Sequence, residues 1–141
     1  MKTITLQQVL NKNYEWFVLE KHPRSTDPSN KMCAYRGDNG AKCAIGCVLP
    51  DSLYEPVMDE VGYTSCYHLG MENDIHTVLY RRPDIREFFG DIPEDTLQSL
   101  QQIHDNFCRH DNLHRRAFSF DVYMDEKLRE FAIENKLNYP N

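Results

Sequence analysis

Three of the five cysteines, Cys33, Cys43 and Cys47, fall in the stretch from Lys31 to Tyr54. Thiolate and imidazole are the donors from which tetrahedral zinc sites are built. Cys43 and Cys47 are spaced C-x3-C, and Cys33, Cys66, His68 and His104 could supply the remaining ligands. The candidate metal set is therefore Cys33, Cys43, Cys47 and His104, with zinc as the metal such donors suit. The chain has no paired knuckle, however, and these residues scatter over about half its length. The competing reading makes Cys43 and Cys47 small buried hydrophobes, as free cysteines commonly are, so no cofactor is required.

A second chemistry is a thiol nucleophile with a histidine base. Cys43, His104 and Asp105 have the right types, and Lys42 could lower the thiol pKa. No protease or transferase signature surrounds Cys43. His104 and Asp105 are neighbours on a predicted helix and so point about 100° apart, which predicts that Asp105 does not orient the ring. A histidine on an apolar helix face must be hydrogen-bonded once buried. The expected partner is a backbone carbonyl of the central segment. Alternatively, His104 lines a ligand pocket with Tyr35 and Arg36. Arg81 and Arg82, like the basic connector from Arg109 to Arg116, could receive an anion such as a nucleotide or phosphate. Tyr35, Arg36, Arg81, Arg82 and His104 are thus the candidate ligand-binding residues. There is no Walker A loop and no dinucleotide fingerprint.

The elements that must position these groups follow from periodicity. Gly37-Asp38-Asn39-Gly40 is a dense turn signal, because Gly and Asn tolerate positive φ. With compact, partly β-branched or aromatic flanks it predicts a β-hairpin over residues 31–49, a strand-to-helix junction at Cys43 being the alternative. Thr5 and Gln8 form a capping box for an amphipathic helix over 5–21, stopped before Pro23. Residues 23–30 read as loop. A short helix is predicted over 53–61, and another from an Asn73 cap with Ile75, Val78 and Leu79 inward. Pro83 then starts a short helix closed by Gly90. Ile92-Pro93-Glu94-Asp95 opens the best helix, on which Leu97, Leu100, Ile103, His104 and Phe107 share a face. Asp121 is the expected cap of a final helix with Met124, Leu128, Phe131 and Ala132 inward. The fold class is α+β, predominantly α-helical, with the small hairpin packed on the His104 helix in a single domain, 1–141.

Composition narrows the partners. The formal net charge of −6 disfavours sequence-independent nucleic-acid binding, which runs on Lys and Arg contacts to phosphate. It suits a partner with a basic surface. No apolar run approaches the roughly 20 residues of a membrane-spanning helix, and the N-terminus lacks a signal-peptide pattern. An odd cysteine count without export signals points to reduced thiols and a cytoplasmic protein.

Cys33-Ala34-Tyr35-Arg36-Gly37, Lys42-Cys43-Ala44-Ile45-Gly46, Pro50-Asp51 and Tyr54, with Leu100-Gln101-Gln102-Ile103-His104-Asp105, carry a resemblance. Over about half its length the chain resembles a family of small uncharacterised bacteriophage and prophage proteins. The resemblance implies a phage origin but no assigned activity. Phage accessory proteins of this size often block a host defence machine, an argument from class and not from residues. Three functions follow as expectations. The first is a non-enzymatic, anti-CRISPR-like inhibitor that binds a host defence protein or ribonucleoprotein through an acidic surface. The second is a small-molecule binder that sequesters a nucleotide defence signal, and the third a Cys/His or zinc-dependent enzyme.

Overall fold

The protein is described by a computed structural model, which covers residues 3–26, 34–59, 75–109 and 119–140. The fold is predominantly helical. Helix α1 (Leu6–Asn13) opens on the expected capping box: Thr5 Oγ1 accepts the Gln8 N–H at 3.1 Å, and Gln8 Oε1 accepts the Thr5 N–H at 2.9 Å. It continues as a π-helix, Tyr14–Leu19, in which the Glu20 N–H reaches back to the Glu15 carbonyl. The helix therefore stops two residues short of the predicted 21, and Lys21 takes a positive φ of 55°. Helices α2 (Ile75–Arg81) and α3 (Pro83–Phe89) are separated by Arg82 alone, with Pro83 at the first position of α3. Gly90 closes α3 at φ 57°, its N–H shared between the Arg86 and Glu87 carbonyls. Then come α4 (Glu94–Arg109) and α5 (Phe120–Glu134). Ser119, not Asp121, stands at the N-cap position of α5.

Helix α5 packs on α1 and its π-helical extension, and α4 joins α5 to the α2–α3 pair. Lys21 meets Asp121 at one end of the α1–α5 contact. At the other end Gln7 and Asn138 exchange two hydrogen bonds of 2.7 and 2.9 Å. The two helices are thus antiparallel. The core they share holds Val9, Leu10, Phe17, Ile85, Phe89, Leu97, Leu100 and Leu128, all fully buried.

The predicted hairpin is corrected. Among the described residues there is no strand; Arg36 and Lys42 form an isolated antiparallel bridge and Thr26 is a further isolated bridge residue, while residues 31–33 of the expected hairpin lie outside them. The reversal itself is as expected, a 3₁₀ turn over Asp38–Gly40 with Asn39 at φ 56° and Gly40 at φ 77°. Pairing cannot extend beyond it for two reasons. After Cys43 the chain coils at once, with the Cys47 N–H on the Cys43 carbonyl and the Leu49 N–H on the Ile45 carbonyl. On the other arm, Ala34 and Asp38 give their N–H groups to Ser25 and Thr26 instead. Gly46 is essential to this coil, since a Cβ there would lie 1.8 Å from the Tyr35 carbonyl oxygen. The predicted helix over 53–61 is reduced, within the described residues, to a 3₁₀ turn at Pro56–Asp59. The Asn73 cap and residues 63–71 lie outside the described residues.

Candidate functional site

The central segment, residues 34–59, brings the candidate side chains together in two separate groups. The inner group is a buried relay of hydrogen bonds. The Gly46 N–H donates to Cys43 Sγ at 3.2 Å, and the Cys43 thiol donates to Gln101 Oε1 at 3.3 Å. Gln101 Nε2 donates to Asp105 Oδ2 at 3.4 Å. From the opposite side, His104 Nδ1 lies 2.9 Å from Asp105 Oδ1, and His104 Nε2 accepts the Ser25 backbone N–H at 2.9 Å. That N–H can only donate, so Nε2 carries the lone pair and the ring proton sits on Nδ1, directed at Asp105. Phe17 and Phe120 flank the imidazole.

Two expectations change here. Asp105 does orient the His104 ring. The two side chains leave the helix about 100° apart, but both bend into the same buried space, where a carboxylate needs donors. The partner of His104 is a backbone N–H from residue 25, not a carbonyl of the central segment. Ser25, His104 and Asp105 have the residue types of a hydrolytic triad, yet the lone pair that would take a proton from a nucleophile is already occupied by an amide. Burial, and after it the Asp105 charge, push the Cys43 thiol well above its ordinary range. It serves as a hydrogen-bond donor. Cys47 accompanies it in the coil, its thiol directed at the Ala44 carbonyl and pushed by burial up to about 12. Among the described residues no three His, Cys, Asp or Glu side chains converge in a geometry that could hold a metal. Cys33, Cys66 and His68 lie outside them.

The outer group is ionic. Arg36 Nη1 pairs with Asp51 at 2.6 Å and Nη2 donates to the Leu49 carbonyl at 2.8 Å. Its guanidinium lies over the Tyr54 ring, 4.7 Å from the centroid. Asp59 collects the Tyr35 and Arg36 backbone N–H groups at 2.7 and 3.1 Å, and the Tyr54 hydroxyl at 2.6 Å. Burial, then the bond to Asp59, raise the Tyr54 phenol above its ordinary range, so it remains a donor. Arg82 grips the same loop from α2–α3: it donates to the Leu53 carbonyl at 2.8 Å and pairs with Glu55 and Asp84. The bond to Arg82 holds the Asp84 carboxyl below its usual value, as the bond to Arg36 does for Asp51.

Of the predicted ligand-binding set, Arg36 and Arg82 do converge, on the two ends of residues 49–55. Their charges are met there by carboxylates of the fold itself. Tyr35 is fully buried, Arg81 is exposed at the end of α2, and His104 belongs to the inner relay. Sequence reasoning missed Ser25, Gln101 and Asp59. Gln101 was discoverable, one turn before Asp105 and three residues before His104 on the buried flank of α4. Ser25 and Asp59 were not, because the ring that Ser25 meets and the backbone N–H groups that Asp59 collects are on residues 79 and 23–24 positions away.

A surface groove of about 470 Å³ lies between the start of α1 and the coil at Cys47. No helix among the described residues is long and apolar enough to cross a membrane. No family model, curated protein or solved structure matches the chain.

Proposed function

We propose that this chain is a recognition protein and not a catalyst: a phage-encoded accessory protein that binds and inhibits a bacterial antiviral component, of the anti-CRISPR kind. The phage assignment rests on the sequence resemblance. The observation that carries recognition over turnover is that the candidate thiol and imidazole are both spent inside the core, each in hydrogen bonds to the fold. What remains outward is charge and scattered apolar surface. On α5, Glu126, Glu130 and Glu134 recur every four residues and are exposed, so they share a face. Val122 and Ile133 of the same helix are 50% and 74% exposed. An acidic face with apolar contacts suits a basic protein or ribonucleoprotein partner in the host cytoplasm, recognised without contact to nucleic-acid phosphate.

The test is co-elution with a purified CRISPR effector ribonucleoprotein, with and without Glu126→Lys, Glu130→Lys and Glu134→Lys combined. Inhibition is expected to require a stable complex that dissociates as salt is raised and is lost in the triple variant. Plaque assays on defence-equipped hosts extend the test to other defence systems. A chain that rescues phage growth without any protein complex, yet gains thermal stability from cyclic nucleotides, would replace this reading with signal sequestration. Rescue abolished by Cys43→Ala in a chain that still folds would replace it with thiol chemistry.

A further inference from the structure

The groove beside Cys47 is built asymmetrically. Its floor is apolar: Ile4, Val48, Leu49 and Phe88. One rim is a face of α1 formed by Gln8, Asn11 and Lys12, three exposed residues at positions i, i+3 and i+4. The acceptor ends of both amides are already committed. Gln8 Oε1 accepts from the Thr5 N–H and hydroxyl, and Asn11 Oδ1 accepts from Gln7 Nε2 at 3.0 Å. What the two amides still offer is N–H. Lys12 adds an ammonium group that no carboxylate among the described residues neutralises, and its charge, with that of Lys42, reaches the Cys47 thiol. Among the described residues no Asp or Glu lines the groove, although acids outnumber bases by 22 to 16 in the chain. A donor-rich rim over an apolar floor is complementary to a ligand with an apolar body and an anionic, acceptor-rich end.

We propose that this groove binds the free C-terminus of a peptide: the last side chain, apolar, lies on Ile4, Val48, Leu49 and Phe88, and the terminal carboxylate meets Gln8, Asn11 and Lys12. The volume is of the size that holds a few residues of an extended chain. This site is distinct from the α5 face and does not depend on the function proposed above.

The experiment titrates the full chain with an acetylated Leu-Leu-Phe tripeptide as the free acid, as its C-terminal amide, and with octanoate, followed by NMR shifts. The free acid is expected to shift Ile4, Cys47, Leu49 and Phe88. The amide is expected to bind at least about tenfold more weakly, the scale of one lost charge contact. Lys12→Met is expected to cost the same factor, and Lys127→Met, at a remote cation, nothing. Equal binding of acid and amide, shifts confined to other residues, or no shifts at all would overturn the proposal. So would octanoate binding as well as the tripeptide, which would assign the groove to acyl carboxylates.

Discussion

The two networks that fasten the central segment differ in every physical respect except their purpose. The inner one, from Gly46 through Cys43, Gln101 and Asp105 to His104 and Ser25, is buried and contains one carboxylate served by neutral donors. The outer one sets the Arg36 and Arg82 guanidinium groups against Asp51, Glu55 and Asp84, partly in solvent, with Asp59 accepting the Tyr35 and Arg36 backbone N–H groups. Buried polar groups are costly to leave unpaired, whereas exposed ion pairs contribute little and are screened by salt. The comparison teaches that the residues most suggestive of chemistry, a thiol and an imidazole, are here the fold's interior fastenings. The guanidinium groups, most suggestive of an anion site, are its exterior ones.

The sharpest way to break this division is at the point where the inner network meets the backbone. Gly46→Ala places a methyl 1.8 Å from the Tyr35 carbonyl, and backbone cannot yield as a side-chain tip can. The expected loss is about 3 kcal/mol or more, read as a fall in Tm of roughly 10 °C. A variant that melts with the native protein would show that the coil at 43–48 is not held against Tyr35. Next in size, Gln101→Leu keeps the volume of the relay's central member but strips both of its hydrogen bonds, leaving the Cys43 S–H without an acceptor and one Asp105 oxygen unpaired. About 2 kcal/mol should be lost in urea unfolding, and 1 M salt should not alter the difference. Salt sensitivity there would mean that the relay is open to solvent.

The smallest effect belongs to the outer pairs. Arg36 and Arg82 hold Asp51 and Asp84 below the ordinary carboxyl value, so the folded state takes up these protons less readily than the unfolded chain. Their contribution is whole above the unfolded carboxyl range, at pH 5 and higher, and is lost as pH falls through the lowered folded values. Thermal melts between about pH 5 and pH 2 should therefore show a slope that flattens slightly in Asp51→Asn and Asp84→Asn and that high salt reduces. A slope unchanged in both variants would remove these pairs from the acid response. Asp51 is largely exposed and Asp84 nearly half exposed, which keeps the effect small.

Much of this was legible without coordinates. The Thr5–Gln8 box, the Pro83 and Gly90 boundaries of α3, the positive-φ turn at Asn39-Gly40 and the buried face of α4 are decided within a few residues, where capping, steric and periodic rules act. The hairpin was not, because its extension depended on whether Ala34 and Asp38 would find their partners across the turn or at Ser25 and Thr26. Nor did spacing reveal that Asp105 turns back onto His104: helical geometry gives the direction in which a side chain leaves the backbone, not the direction a buried carboxylate is drawn by the donors around it.

By itself, then, the sequence determined the main helices, the capped start of α1, both ends of α3 and the type of each reactive side chain, since these depend on neighbours along the chain. Only the tertiary structure decided that Cys43 and His104 would be linked through Gln101 and Asp105, and that Arg36 and Arg82 would be answered by the loop they hold. The physical reason is that hydrogen bonding and burial are settled in space. A thiol or a guanidinium has its chemistry fixed by whatever distant residue desolvates it or pairs with it.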